Sequence, residues 1–99
     1  MSEATHATVA TFRMDMSRLE GQRRGLHDFI VPSVRRHSGF VSGHWLLDRE
    51  AGRSVAVITF TSREADELLR ENVKDNAANQ AAAGLDLIDI RLLEVQASA

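Results

Sequence analysis

The chain has 99 residues, a mass of 11.0 kDa and no cysteine, which excludes disulfide frameworks, iron–sulfur clusters, thiolate zinc sites and cysteine nucleophiles. Its formal net charge of -2 lacks the basic excess that nucleic acids and membrane surfaces attract, and no apolar run approaches the roughly 18 residues of a membrane span. This size predicts one domain over residues 1–99, and the absence of a signal-peptide pattern at Met1 predicts a cytoplasmic protein.

The first half of the chain predicts a strand followed by a helix. Residues 5–13 are rich in Thr and Val, which favours the strand. Ser17 and Glu20 form a capping box with Ser17 as the N-cap, and a helix of about 20 residues follows it. Pro32 lies inside this helix and has no N–H, so we expect a kink or a break over residues 28–32.

The second half predicts a hairpin, a second helix and a last strand. The two hairpin strands, the helix and the last strand cover residues 40–47, 53–60, 62–83 and 85–95, respectively. Thr61 and Glu64 form a second capping box at the start of the helix. The order β-α-β-β-α-β predicts an α+β fold of the ferredoxin-like type with an antiparallel sheet.

Each of the later strands carries large apolar side chains on both faces, although helices of this fold cover only one face of the sheet. Strict alternation places Phe40, Ser42, His44 and Leu46 on one face of the second strand, and Val41, Gly43, Trp45 and Leu47 on the other. A second copy of the chain is the simplest cover for the remaining face. We therefore expect a homodimer that packs sheet to sheet, with the following interface residues: Trp45, Val55, Val57, Asp89 and Arg91.

Two passages, SGFVSGHW at residues 38–45 and VAVITFTSREA at residues 55–65, resemble the dimeric α+β barrel superfamily, and within it the antibiotic-biosynthesis monooxygenase-like branch. The resemblance covers about residues 5–95 and implies a homodimer whose two sheets form a barrel. For activity it implies oxygenation of a small aromatic or polyketide-like molecule without a cofactor. The haem-degrading branch has a Trp at the end of the third strand where this chain has Phe60, so haem degradation is not expected.

Several residues are candidates for the site of such a reaction. His44 shares its predicted face with Phe40, so it is the candidate base for a phenolic proton, since the free imidazole has a pKa of about 6.5. Asn72 and Asn76 lie on the buried stripe of the second helix and are the candidate positioning groups. Phe40 and Phe60 are the candidate apolar lining of the ligand site.

Each candidate also has a structural interpretation. His44 could be a core or interface histidine, and the two amides could lie in water if the helix bends near Lys74 and Asp75. Trp45 is an interface anchor if the predicted faces are right, and the aromatic wall of a pocket if they are reversed. The alternative to the enzyme is therefore a non-catalytic dimer that binds a small ligand or is purely structural. An enclosed cavity of about 300 Å³ lined by His44 and the amides would favour the enzyme.

Other residue patterns exclude further classes of protein. The four histidines are scattered, with no spacing typical of metal ligands, so no metal site is expected. RNA-recognition domains of the same strand order stack bases on aromatic side chains of the third strand, where this chain has a single aromatic residue, Phe60. Lys74 is the single lysine among 12 basic residues, a bias typical of GC-rich bacterial genomes.

Overall fold

The computed structural model describes residues 3–99 and contains one four-stranded antiparallel sheet. The strands are β1 (His6–Met14), β2 (Phe40–Asp48), β3 (Arg53–Phe60) and β4 (Leu85–Glu94). Their order across the sheet is β2-β3-β1-β4, so the first strand lies in the centre and the hairpin lies at one side. This is the ferredoxin-like α+β arrangement, and the predicted fold class is confirmed.

Helical segments fill both crossovers of the sheet. They are a 3-10 turn (Met16–Arg18), α1 (Leu19–Gly25), a π-helical turn (Leu26–Ile30), α2 (Val31–Arg35), α3 (Arg63–Asp75) and α4 (Ala77–Ala82). The π-helical turn lies immediately before Pro32, and its last bond runs from the Val31 N–H to the Leu26 carbonyl. The irregularity predicted over residues 28–32 is therefore this π-helical turn, whose wider backbone accommodates Pro32. Within residues 3–99, no helix has the length and apolar character needed to cross a membrane.

Both predicted N-caps are wrong by one or two residues. Asp15, and not Ser17, caps the first helical segment, because its carboxylate accepts hydrogen bonds from the N–H and the hydroxyl of Ser17. Ser62, and not Thr61, caps α3, because its hydroxyl oxygen accepts from the Ala65 N–H at 3.2 Å. In both places a neighbouring residue with an equally suitable side chain has the extended backbone that an N-cap requires.

The hydrophobic core lies between the sheet and helices α2 and α3. Phe60 on β3 is 0% exposed, and Val34 of α2 and Leu69 of α3 are also buried beside it. In the centre of the sheet, Ala10 and Ala56 are paired across β1 and β3, where small side chains let the helices approach. We call this side of the sheet the helix side.

A β-bulge at Val41 reverses the predicted faces of β2. Phe40 is paired with Phe60 and Gly43 with Ile58, so the strand gains one residue between these two pairs. As a result Gly43, Trp45 and Leu47 join Phe40 on the helix side, and Ser42, His44 and Leu46 lie on the opposite face. A second register shift, between Thr11 and Phe12 of β1, brings Leu87 of β4 to the helix side in the same way.

The opposite face of the sheet, which we call the open face, lies away from the core. Its side chains are those of Ala7, Val9, Thr11, Arg13, Ser42, His44, Leu46, Asp48, Arg53, Val55, Val57, Thr59, Asp86, Asp89, Arg91 and Leu93. Large apolar groups at its two sides, Leu46 and Leu93, are about half exposed. Large apolar side chains therefore occur on this face of β2, β3 and β4, as predicted, but the face is a mixture of apolar and charged residues.

Candidate functional site

The helix side of β2 forms an apolar strip at the edge of the sheet, which consists of Phe40, Gly43, Trp45 and Leu47 and which we call the β2 strip. Phe40 and Trp45 are half-buried and pack against the core, whereas Leu47 is exposed. Trp45 is therefore not the interface anchor on the open face that strict alternation predicted. Trp45 lies instead between the core and solvent. This position agrees with the alternative interpretation, in which the predicted faces of β2 are reversed.

Gly43 lies directly under the Trp45 indole. A Cβ atom added to Gly43 would lie 3.1 Å from both Cη2 and Cζ3 of Trp45, and 3.5 Å from Cε1 of Phe40. The six-membered ring of the indole therefore occupies the space above Gly43, and the Phe40 ring borders the same space. Two aromatic side chains thus converge on one glycine of an edge strand.

A histidine and an amide meet next to this strip. The Nε2 atom of His37 lies 3.4 Å from Nδ2 of Asn72, which joins the end of α2 to the middle of α3. The His37 ring also packs edge-to-face on Phe60, with ring centroids 6.3 Å apart. Both His37 and Asn72 are half-buried, so an imidazole and an amide are held beside aromatic rings on the helix side. Asn72 is the predicted site residue that this cluster includes.

Two other predicted site residues, His44 and Asn76, do not take part in the contact between His37 and Asn72. His44 lies exposed on the open face, because the bulge at Val41 reverses its direction, so the prediction that it points toward the helices is wrong. Asn76 is exposed, and its Nδ2 donates to the Asn72 carbonyl at 2.8 Å at the break between α3 and α4. Phe60 is completely buried, and its ring packs edge-to-face with the His37 ring.

The remaining predicted interface residues lie on the open face. Val55 and Val57 are half-buried there, and they are paired across the hairpin with Leu46 and His44, respectively. Asp89 and Arg91 lie on the same face of β4 and form an ion pair with each other, with Nε and Oδ2 at 3.0 Å. Both residues lie on the same strand, and the side chains of Arg91 and Asp89 are 65% and 50% exposed, respectively. Because water screens an ion pair as exposed as this one, it contributes little to the stability of the free chain.

One buried carboxyl group was not predicted from the sequence. Asp66 of α3 is 0% exposed, and the hydroxyl of Thr8 on β1 donates to its Oδ1 atom. Its Oδ2 atom has no hydrogen-bond partner among residues 3–99. Burial raises the pKa of Asp66 above the ordinary value, while the Thr8 hydrogen bond and the nearby His6 act in the opposite direction. Asp66 lies on the α3 stripe beside Leu69, where an apolar residue is usual.

Two open grooves lie on the far side of α3 from the His37–Asn72 contact. They have volumes of about 410 and 330 Å³ and share Arg63 and Leu92 in their walls. The guanidinium of Arg63 is already paired with Glu67 at 2.9 Å. Neither groove is lined by His44, Asn72 or Asn76, so neither is the cavity that the enzyme hypothesis requires. Within residues 3–99, no three His, Asp or Glu side chains come close enough together to hold a metal ion.

Sequence reasoning did not single out His37, because the last turn of a helix is a common place for a histidine, where a cation suits the helix dipole. The bulge that turns Trp45 to the helix side inserts a residue without changing the composition of the strand. Gly43 could have indicated it, since an isolated glycine in a strand is typical of a bulge or of a close approach by another group.

Comparison with known proteins shows which solved structures share this fold. No protein-family model matches the sequence, and a search of curated proteins also finds no match. Among solved structures, a protein of unknown function from Nitrosomonas europaea is 12% identical with a TM-score of 0.75, and the match covers 100% of this chain and 96% of that one. A monooxygenase from the ActVA-Orf6 gene of Streptomyces coelicolor, solved with the ligand nanaomycin D, is 14% identical with a TM-score of 0.69, over 97% and 91% of the two chains.

A third similar structure is described as a dimeric ferredoxin-like protein from an uncultured marine organism. It is 10% identical with a TM-score of 0.68, and the match covers 96% of this chain and 97% of that one. At these identities the similarity concerns the path of the backbone, and all three structures agree on it over nearly their whole length. The chain therefore shares the ferredoxin-like α+β fold of these three structures.

Proposed function

We propose that this protein is a homodimeric, cofactor-independent monooxygenase-like enzyme that acts on a small aromatic molecule on the helix side of its sheet. The observation that carries the proposal is the contact between His37 and Asn72, with the His37 ring packed on Phe60, on the helix side to which Phe40 and Trp45 also point. A base, an amide and an apolar wall are the groups that such a reaction needs. The fold shared with a monooxygenase that was solved with nanaomycin D supports the same class of substrate.

In this proposal His37 takes the role that the sequence assigned to His44. A neutral imidazole accepts a proton from an acidic phenol or from the CH₂ group of an anthrone. The resulting anion is rich in electrons and reacts with dioxygen. The CH₂ carbon loses two hydrogens and gains one oxygen atom as a carbonyl, while the second oxygen atom leaves as water. The substrate is thus the reductant and dioxygen the oxidant.

Asn72 positions the base in this arrangement. Its Nδ2 lies 3.4 Å from Nε2 of His37, and an amide nitrogen only donates, so in this arrangement Nε2 accepts and Nδ1 carries the ring proton. In the proposal the Asn72 amide turns end for end, so that its oxygen accepts from Nε2–H and the lone pair of Nδ1 is free to take the substrate proton. Phe40 and Trp45 then provide the apolar surface for the aromatic rings of the substrate. Asn76 takes no part, since its amide is bonded to the helix backbone.

The open face supports the homodimer. The chain exposes 6640 Å² of surface, whereas a compact monomer of its mass exposes about 5,600 Å². The excess is close to the ~800 Å² that each partner buries in a stable interface of standard size. The description of a similar structure as a dimeric ferredoxin-like protein supports the same assembly. His44, Val55 and Val57 are then interface residues.

The alternative, a non-catalytic dimer that binds a small ligand, is favoured by one observation. The grooves of about 410 and 330 Å³ beside α3 are open and are not lined by His37 or Asn72. A binding protein needs the apolar β2 strip but no base. The two functions therefore differ in what they require of His37.

The test is oxygen uptake with anthrone and hydroquinone, measured on the purified protein and on two histidine variants. His37→Gln is expected to lose about 100-fold or more of the rate, the usual contribution of a general base. His27→Gln is the matched control, because His27 is exposed on the π-helical turn, and it should keep the wild-type rate. Equal rates for the two variants would remove His37 from the mechanism. No oxygen uptake by the wild type, combined with binding of nanaomycin D, would favour the binding protein.

A further inference from the structure

We infer that Gly43 is a positioning residue, which leaves room for the Trp45 indole to lie against the sheet and present its other face to a planar aromatic ligand. The inference rests on the proposed function for the identity of the ligand. The position of the indole itself is a property of the free protein and can be tested without any ligand.

The register of the hairpin brings the two residues together. Gly43 is paired with Ile58 and Trp45 with Ala56, so both point to the helix side and are neighbours along β2. The indole leans back along the strand over Gly43, where Cη2 and Cζ3 would lie only 3.1 Å from an added Cβ atom. Non-bonded carbon atoms prefer about 3.5–4.0 Å, so a methyl group at this position would displace the ring.

The backbone gives no other reason for a glycine at this position. The glycines with positive φ are Gly39, Gly52 and Gly84, and Gly43 is not among them, so any L-residue could adopt its conformation. A glycine in a strand loses more chain entropy on folding than alanine and contributes no side chain to the sheet. The close approach of the Trp45 ring is the feature of this site that accounts for the glycine.

The position of the indole determines the shape of the proposed ligand site. Trp45 is half-buried, with its ring over Gly43 on one side and partly open to solvent elsewhere. The Phe40 ring approaches the same glycine, with its Cε1 atom 3.5 Å from the added Cβ atom. A Cβ atom at Gly43 would require the indole to move away from the strand by a few tenths of an ångström, into the space above the β2 strip. That space is where a planar ligand would stack on the ring.

The chain provides a direct spectroscopic readout of this inference. It contains one tryptophan and no tyrosine, so the intrinsic fluorescence of the protein comes from Trp45. Gly43→Ala is expected to shift the emission to longer wavelength and to increase quenching by acrylamide, since the ring moves toward water. Nanaomycin D, titrated by calorimetry, is expected to bind the variant about 10-fold more weakly than the wild type. Gly21→Ala is the matched control, because a Cβ atom at Gly21 meets nothing within 4 Å.

A double variant keeps the inference testable if Gly43→Ala impairs folding. With Trp45→Leu in place, the ring that collides with the new methyl group is gone. Gly43→Ala is then expected to raise the Tm, because alanine suits a strand better than glycine, whereas in the wild-type background it lowers the Tm. A similar fall in Tm in both backgrounds would mean that the methyl group meets something other than the indole, and would overturn the inference.

The outcomes separate this inference from the proposed function. Unchanged emission and quenching in Gly43→Ala would overturn the positioning role of Gly43. A shifted emission with unchanged affinity for nanaomycin D would overturn the role of Trp45 as a ligand surface. Failure of the wild type to bind nanaomycin D would instead contradict the proposed substrate class, while the fluorescence and Tm measurements would still decide whether Gly43 positions Trp45.

Discussion

Asp66 is a carboxylic acid that the fold removes completely from water. It is 0% exposed, one of its oxygens accepts from the Thr8 hydroxyl, and burial raises its pKa. His6 on β1 and Glu67 on α3 are the charged groups close enough to affect it, and they act in opposite directions. Desolvation is the largest of these effects, so the fold favours the protonated form of Asp66 more than water does.

This shift has a consequence for the pH dependence of stability. Between the ordinary pKa of 3.8 and the raised pKa, the folded protein holds a proton that the unfolded chain has released. The free energy of unfolding therefore falls as the pH rises through this range and then stays constant. The contribution of Asp66 is fully present below pH 3.8 and is lost as the pH passes the raised value.

Asp66→Asn should remove this pH dependence. The amide keeps the oxygen that accepts from Thr8 but carries no charge, so the Tm of the variant relative to wild type should be higher at pH 7 than at pH 4. Thermal unfolding followed by circular dichroism at several pH values measures this difference. Asp75→Asn is the control, because Asp75 is exposed. Parallel pH profiles for wild type and Asp66→Asn would show that burial of Asp66 is not linked to protonation.

The same scale explains why the predicted site was only partly right. The positions of Asn72 and Phe40 and the shared face of Val55 and Val57 follow from periodicity, which the sequence displays directly. His44 and Trp45 were assigned to the wrong faces, because one extra residue at Val41 reverses every side chain that follows it in the strand. Asp66 was missed because its only sign in the sequence is a carboxylate on an otherwise apolar stripe, and its partner Thr8 is 58 residues away.

At the scale of the elements, the ends of the helices are determined by single side chains. Ser62 has an extended backbone and accepts a hydrogen bond from the Ala65 N–H, which satisfies one of the free donors at the start of α3. Thr61 precedes it and has an equally good side chain for a cap. The two residues can therefore be compared within one helix.

Ser62→Ala is expected to lower the free energy of unfolding by about 1 kcal/mol, the usual cost of losing an N-cap hydroxyl. Thr61→Ala should cost less, because Thr61 does not cap α3. Urea unfolding of the two variants measures both values against wild type. A larger loss for Thr61→Ala than for Ser62→Ala would mean that the capping box predicted from the sequence is the one that operates.

The extents of the elements were largely predictable from the sequence. The strands differ from their predicted bounds by one residue at most, because alternation of apolar residues and the turn glycines are local features. The second helix, predicted over residues 62–83, divides at Asn76, next to Lys74 and Asp75, where the structural interpretation of the two amides expected it to bend. There the Asn76 side chain donates to the Asn72 carbonyl and competes with the next helical turn.

At the scale of the whole molecule, the order of elements was predictable, since it depends on patterns that extend over many residues. The covering of the open face by a second copy was also predicted from the sequence, and it stays a prediction because it concerns a second molecule. Leu46 on the open face is 52% exposed, and Leu68 on the outer surface of α3 is 54% exposed. These two leucines are thus matched in exposure and differ in the face on which they lie.

We therefore expect Leu46→Asp to weaken the homodimer and Leu68→Asp to leave it intact. A carboxylate on the open face would have to be desolvated between two sheets, which costs several kcal/mol unless it is paired, whereas on α3 it stays in water. Sedimentation velocity at micromolar concentration should give about twice 11.0 kDa for wild type and Leu68→Asp, and a mass near 11.0 kDa for Leu46→Asp. Val57→Asp, nearer the centre of the face, should dissociate the dimer at least as completely. A wild type that sediments as a monomer, or dimers of equal stability in all three variants, would refute assembly through this face.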